Sequence, residues 1–477
     1  MTTARYTPPP ESIPTLEVPS LEHVGRLHLI GIGGAGMRNL AKLLLAKGVA
    51  VSGSDLKDSK GLLELGELGA DVIVGHDPAN LGEPDAVVVS SAIAERNVEL
   101  AEARRRGLVV WARAQVLVAL TAGARSIAVG GTHGKTTTTS MVAIVLEHAG
   151  LDPSFVIGGD LNESGSGARS GEGDLFVFEA DESDGSFLLS TPSIGIVTNV
   201  DVDHVDFYPG GRDEIERAFA AFLSHCGSVV ACGDDEGVRS ALALAGVAAT
   251  TYGIDPGSDW RVEVERIGPG GARGTLRGPA GAVTELRLMV DGVHNLLDAA
   301  AAVATAAAVG VAPEVAAEAL ARFSGVRRRF ELRGTARGAR FFDDYGHVPV
   351  ELAVTLGVAR CTGPGRLVAV FQPHRYSRTQ ALWRELGASL TEADVVVVTD
   401  VYGADQPPIP GVTGKLVVDG ISEASPDTRV IYLPHRQDVV AFLDDEVRPG
   451  DLVVTMGCGD VWMLGDAALE RMQERAS

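Results

Sequence analysis

The sequence predicts an α/β protein of three domains, and three observations predict it. The chain has 477 residues, whereas domains commonly run to about 100–200. Short apolar runs alternate with helical stretches, and the spacing leaves room for crossover helices, as parallel sheets require. Glycine is plentiful (58 residues) and aromatics are scarce at 5%, which suits many tight strand-to-helix turns. The expected divisions are a disordered Pro-rich tail over 1–23, a first domain over 24–122, a central domain over 123–327 and a C-terminal domain over 328–477.

In the first domain, Arg26–Ile30, Val49–Ser52, Asp71–Val74, Ala86–Ser90 and Leu108–Trp111 read as strands of a Rossmann-like parallel sheet. The strand Leu27–Ile30 runs into Gly31-Ile32-Gly33-Gly34-Ala35-Gly36 and then into an apolar helix from about Met37 to Ala46. This is a G-x-G-x-x-G turn opening a helix. Glycines let the backbone approach a phosphate, and the helix N-terminus supplies N–H groups and partial positive charge. Asp55 ends the next strand, where an acid can accept hydrogen bonds from a ribose. The motif does not identify the nucleotide, and NAD is its default ligand.

The central domain opens with strand Ser126–Val129, then Gly130-Gly131-Thr132-His133-Gly134-Lys135-Thr136, then helix Thr137–His148. Gly134-Lys135-Thr136 is the phosphate-gripping core of a P-loop. Lys135 would reach the β- and γ-phosphates, and Thr136 would place its hydroxyl on Mg²⁺. The strict pattern fails at its first glycine, which is Val129. Two later strands, Leu175–Phe178 and Ile194–Val197, end in acid-rich segments, Glu179-Ala180-Asp181-Glu182-Ser183-Asp184 and Thr198-Asn199-Val200-Asp201-Val202-Asp203-His204. Carboxylates at strand ends are where a P-loop fold holds its metal. Alternating residues and Gly/Pro turns over 260–290 predict a small antiparallel patch, and the Ala-rich run 298–309 predicts a buried helix. A third, Rossmann-like unit has expected strands Arg340–Phe342, Leu367–Phe371, Asp394–Thr399, Arg429–Leu433 and Asp451–Met456.

A formal net charge of −22 argues against nucleic acid and anionic membranes as partners. No run has the length of a transmembrane span, and the first residues lack a signal-peptide pattern. Cys226, Cys232, Cys361 and Cys458 fit neither a disulfide framework nor a zinc spacing. A cytoplasmic protein with reduced thiols, monomeric or homodimeric, is the expectation.

The motifs taken together carry a resemblance. GGTHGKTTTT (130–139), EADESDGSFL (179–188), NVDVDH (199–204), GVHN (292–295), GVRRRFE (325–331), DDYGH (343–347) and FQPHRYSRT (371–379) resemble, in this order, the amide-forming ligases of peptidoglycan precursor synthesis. GIGGAGM (31–37) is similar to the members that extend UDP-N-acetylmuramate itself, with L-alanine or with a recycled murein peptide. The resemblance implies a UDP-sugar domain, an ATP domain and an amino-acid domain. It implies that ATP activates the sugar-acid carboxylate as an acyl phosphate, which the amine of L-alanine then attacks, giving ADP and phosphate. Gly31, Gly33, Gly34, Gly36, Asp55 and Ser90 would then serve the UDP-sugar. Gly130, Gly131, Thr132, His133, Gly134, Lys135, Thr136 and Thr137 would cradle ATP. His294 and Asn295 would lie near adenine, Arg329 would help hold the nucleotide, and Asp343 would contact its ribose. Thr136, Glu179 and His204 would surround Mg²⁺. Tyr345, His347, Arg375 and Arg378 would face the acyl group and the alanine carboxylate; Lys135, His204, His347 and Arg378 are the expected catalytic set.

Four positions depart from the family's usual residues: Val348 for histidine, Asp298 for asparagine, Gln406 for glutamate and Cys458 for alanine. Three other readings stand beside the leading one: a peptide-adding ligase, which shares most of the motifs; a paralogue making another amide, best supported by Val348; and a nucleotide-binding protein without ligase activity, against which intact Lys135, Glu179, His204 and Arg378 count. A dehydrogenase built on the first glycine loop would leave the P-loop and both acid clusters unexplained.

Overall fold

The computed structural model describes residues 16–162, 165–204, 207–268, 270–404 and 406–475. Most of the Pro-rich tail, residues 1–15, lies outside the described residues; 16–23 carry no helix or strand. The described chain falls into two compact units, one running to Arg266 and taking in Gly271–Ser324, the other formed by Gly325–Ser477 with Ile267–Gly270.

The first unit holds two sheets. One is parallel: β1 (Arg26–Ile30), β2 (Ala50–Asp55), β3 (Asp71–Val74), β4 (Ala86–Val89) and β5 (Val109–Ala112), in the order β3-β2-β1-β4-β5. Its order reverses beside β1, and crevices at such points bind ligands. Residues Leu27 to Ile30 are fully buried, as a parallel strand covered on both faces must be. The helix Ala35–Ala46 buries Met37, Leu40, Ala41 and Leu44, one face at helical spacing.

The other sheet is mixed. Its strands are β6 (Arg125–Gly130), β7 (Ser154–Val156), β8 (Ala168–Arg169), β9 (Leu175–Glu179), β10 (Ile194–Val197), β11 (Ser228–Cys232), β12 (Thr250–Gly253), β13 (Trp260–Arg266), β14 (Arg273–Arg277) and β15 (Val283–Arg287). Their order is β15-β14-β13-β12-β11-β10-β6-β9-β7-β8. β13, β14 and β15 pair antiparallel, which is the patch expected over 260–290. The Ala-rich segment is the helix Val293–Ala308, which packs against the P-loop helix Lys135–His148. Small side chains let the two approach closely. β6 lies between β9 and β10, so the P-loop and both acid-rich strand ends emerge side by side.

The second unit is one sheet: β16 (Glu331–Ala336), β17 (Ala339–Asp344), β18 (Arg366–Phe371), β19 (Val395–Val398), β20 (Arg429–Tyr432) and β21 (Asp451–Met456), in the order β16-β17-β21-β18-β19-β20. β16 is antiparallel to β17 and the rest are parallel. The carboxyl ends of the adjacent strands β17, β21 and β18 therefore gather Asp343–His347, Gly457–Asp460 and Gln372–Arg378. Among the described residues, no helix is long and apolar enough to cross a membrane.

Candidate active site

The first glycine loop is held by its neighbours. Gly31 and Ile32 donate to the Ser54 carbonyl at 2.8 and 3.0 Å, and Gly33 donates to Asp55 Oδ2 at 3.0 Å. A Cβ at Gly33 would sit 2.9 Å from that oxygen, which is why glycine is needed. Asp55, expected at a ribose, here orders the loop. The helix that follows has no side-chain cap and no acid in its first turn, which keeps its N-terminal positive end available to an anion. Ser90 stands at the end of β4, beside β1. Arg38 forks onto Asp160 at 3.0 and 3.1 Å, and Asn39 donates to the Ile157 carbonyl at 2.9 Å, so this helix is pinned to the segment after β7.

The P-loop is shaped by the end of β10. Thr132 donates to the Asn199 carbonyl at 3.0 Å and His133 donates to Asn199 Oδ1 at 2.8 Å; the Thr198 hydroxyl donates to the His133 carbonyl at 2.5 Å. Gly131 has φ +134° and Gly134 has φ +80°, conformations that L side chains rarely adopt. Lys135 Nζ donates to the Gly131 and Thr132 carbonyls at 2.6 and 3.1 Å and to Glu182. Glu182, 2% exposed, also faces His204 Nε2 at 3.6 Å, and its own carbonyl accepts from the Tyr208 hydroxyl at 2.6 Å. Asp181 stands 3.4 Å from Arg113. Thr136 is buried in the first turn of the helix, and Thr137 follows it. Thr138 donates to Asp298 Oδ1 at 2.9 Å, so the departure at 298 props the P-loop from beneath.

The electrostatics follow from that crowding. Burial pulls the Lys135 ammonium down, but Glu182, Asp181 and Glu179 outweigh it and hold its pKa above the ordinary value. His204 is raised in the same way: burial opposes its charge, while Glu182 and Asp203 favour it. Burial raises Asp181, but Arg113, Lys135 and Ser183 bring it down to about 2. The carboxylates therefore keep Lys135 and His204 in their charged forms more readily than in water. Glu179, expected at the metal with Thr136 and His204, turns Oε1 onto the Gly158 amide at 2.5 Å. Glu182 is the carboxylate the structure places between Lys135 and His204. It lies within both the acid-rich strand end and the 179–188 motif, of which the resemblance implies Glu179 alone at the metal.

His294 and Asn295 open the helix Val293–Ala308. Asn295 Nδ2 donates to the Asp291 carbonyl at 2.6 Å and meets His294 Nε2 at 3.1 Å.

In the second unit, Asp343 is 1% exposed and accepts from Arg328 Nε at 2.9 Å and from the Thr455 hydroxyl at 2.7 Å. Asp343, which the resemblance implies at the ribose, forms a buried ion pair with Arg328, the neighbour of Arg329. Both arginines lie over the Tyr345 ring, Cζ to centroid 5.0 Å for Arg328 and 5.2 Å for Arg329. His347 Nδ1 lies 3.1 Å from the Tyr345 carbonyl and 3.4 Å from Glu351 Oε2. Arg375 has φ +66° and donates its amide to the Tyr402 carbonyl at 2.8 Å, a strained bend that starts the helix carrying Arg378. Arg378 Nη1 is 3.4 Å from His374 Nδ1. Gln406 exchanges hydrogen bonds with Ser377, donating to its hydroxyl at 3.0 Å. Val348 is buried at the start of the helix Pro349–Cys361.

Known proteins resemble this chain in sequence and in fold. Residues 26–125 match the profile of the Mur ligase family, catalytic domain; 129–306 match the Mur ligase middle domain; 328–459 match the Mur ligase, glutamate ligase domain. A UDP-N-acetylmuramate–L-alanine ligase of Thermobifida fusca is 46% identical over 465 residues, covering 95% of this chain and 98% of that one. One of Kineococcus radiotolerans is 47% identical over 469 residues, covering 96% and 98%. Among solved structures, the UDP-N-acetylmuramate–alanine ligase MurC of Thermotoga maritima matches with TM-score 0.82 at 27% identity, over 95% of this chain and all of that one. A murein peptide ligase of Psychrobacter arcticus matches with TM-score 0.72 at 26% identity, over 94% and 98%. With all three of its domains matched in order and relatives alike over nearly its full length, this chain belongs to the Mur ligase family.

Proposed function

We propose that this chain joins L-alanine to the carboxylate of UDP-N-acetylmuramate with ATP, a step of peptidoglycan precursor synthesis in the cytoplasm. The observation that carries the chemistry is Lys135, held at a P-loop mouth where two neighbouring strand ends present carboxylates and a histidine. The alanine-adding relatives carry the choice of acceptor, and the alanine ligase structure is a better match than the peptide ligase structure. The proposed state is a monomer or a homodimer.

A carboxylate does not react with an amine at neutral pH, so it must be activated. Transfer of the γ-phosphoryl group of ATP makes an acyl phosphate; the α-amine of alanine adds to its carbonyl, and phosphate leaves as the amide forms. Lys135 and the amides at the start of its helix neutralise and position the phosphates. The donor set around Lys135 fits Mg²⁺: oxygen ligands predominate, and a cation, the Lys135 ammonium, already sits among the acids. Thr136, Glu179 and His204 are the proposed holders, with Glu182 added from its position. When bound, the metal offsets charge on the transferring group. The Gly31–Gly36 turn holds the UDP diphosphate. Arg375 and Arg378 take the alanine carboxylate, for which a guanidinium's planar fork is suited. Excluding water protects the acyl phosphate from hydrolysis.

The route is tested with UDP-N-acetylmuramate carrying ¹⁸O in its carboxylate. Activation through an acyl phosphate sends one labelled oxygen into released phosphate; unlabelled phosphate overturns the mechanism.

A further inference from the structure

We infer that His347, His374 and Cys458 form a binding site for a borderline-soft divalent transition metal of the Zn²⁺ class. The site itself rests on geometry within the second unit; only its effect on turnover rests on the ligase reading. The adjacent strands β17, β21 and β18 each deliver one ligand just past their carboxyl ends: His347, Cys458 and His374. One ligand atom from each lies within 4.8 Å of the other two. Four-coordinate zinc with sulfur and nitrogen ligands separates them by roughly 3.3–3.6 Å, so side-chain rotations of about 1 Å close the set.

The backbone under each ligand is fixed. The Gly457 amide donates to the Asp344 carbonyl at 3.1 Å, the Gln372 amide to the Met456 carbonyl at 3.0 Å, and Arg328 Nη2 to the Gly457 carbonyl at 2.7 Å. His374 is flanked by two bonds to Tyr402, and its ring stacks on that tyrosine with centroids 5.9 Å apart. The two histidine rings stand nearly perpendicular, centroids 5.6 Å apart. The Tyr345 carbonyl and Glu351 engage His347 Nδ1, and Nε2 is the nitrogen a metal would take. A carbonyl or carboxylate behind a ligating histidine is the usual means of orienting it and raising its basicity.

The donors decide the class. Two imidazoles and a thiol suit Zn²⁺ or Co²⁺ and are poor for Mg²⁺, which takes oxygen. Arg378, Arg328 and Arg375 oppose a cation but favour a thiolate. Burial nonetheless pushes the thiol up to about 12, so binding must displace its proton: Cys–SH and M²⁺ give Cys–S–M⁺ and H⁺. A metal there occupies His347 and draws His374 away from Arg378, so it would inhibit turnover.

The test titrates the reduced, metal-free chain with Co²⁺ in excess Mg²⁺. A saturable 1:1 thiolate-to-cobalt charge-transfer band with four-coordinate visible bands is expected, bleached by Zn²⁺. Cys458→Ser should abolish the charge-transfer band, His374→Gln should weaken affinity at least about tenfold, and Glu351→Gln about tenfold. Cys361→Ser, at an exposed cysteine, should change nothing. Melting curves establish that each variant is folded, and the two variants outside the cysteine decide the matter if Cys458→Ser is not. No saturable band in the parent chain, a band retained by folded Cys458→Ser, or affinity unchanged in both His374→Gln and Glu351→Gln overturns the site.

Discussion

The ammonium of Lys135 lies 2.8 Å from one carboxylate oxygen of Glu182 and 3.0 Å from the other. The P-loop lysine is therefore latched to an acid, and arriving phosphates must draw it away. Lys135→Ala should lower phosphate release at least about 10²-fold, the scale of one lost charge-stabilising donor. It should also destabilise the fold by about 3 kcal/mol, because buried Glu182 loses its lysine and keeps only His204 at 3.6 Å. Adding Glu182→Gln should restore the melting temperature but not the turnover. Thermal melts and a phosphate assay on the parent chain and the two variants separate the two effects.

Gly131→Ala should disable the nucleotide site. A Cβ there would lie 2.0 Å from Thr198 Oγ1, at a φ of +134°. Backbone strain of this kind costs about 1–3 kcal/mol. Loss of Mg·ATP binding, with UDP-N-acetylmuramate binding retained, is the expected result in a calorimetric titration of each ligand.

Asp298→Asn should be nearly silent, whereas Asp298→Ala should not be. An amide oxygen can accept from Thr138 as the carboxylate does; a methyl leaves that buried hydroxyl without its acceptor, at about 1–3 kcal/mol. Chemical unfolding of both variants checks this.

Acid sensitivity should trace to Glu99. Burial raises this carboxyl, but His28, His76, Ser54 and Asn80 outweigh it and hold it far below the ordinary range. Its folded pKa is depressed, so its stabilisation is present above the unfolded value of about 4.3 and is lost as pH falls from there towards the folded pKa. Urea unfolding from pH 6 down to about 3 should show a steeper stability loss in the parent chain than in Glu99→Gln.

Arg378→Ala should raise the KM for L-alanine about 30-fold, the worth of a charge-assisted hydrogen bond of about 2 kcal/mol, and leave the KM for UDP-N-acetylmuramate unchanged. Steady-state kinetics with each substrate varied in turn decides it.

What the sequence made legible was what short spacing controls. Val129, Phe178 and Val197 close apolar runs, and polar clusters follow at once, so strand ends and the P-loop could be read directly. The alternating 260–290 segment and the alanine helix were readable for the same reason. The two-residue β8, the three-residue β7 and the edge strand β16 carry too little periodicity to stand out. Side-chain partners were less accessible. Glu182 and Glu179 share one motif, and only folding turns the first to Lys135 and the second to Gly158. Arg113 and Arg328 take their meaning from Asp181 and Asp343, 68 and 15 residues away.

The most direct measurement is phosphate release from Mg·ATP with UDP-N-acetylmuramate, against single amino acids and the recycled murein peptide. The account expects release that requires both the sugar acid and L-alanine and that Lys135→Ala abolishes. Release with the peptide alone, or tight ATP binding without turnover on any pair, would contradict it.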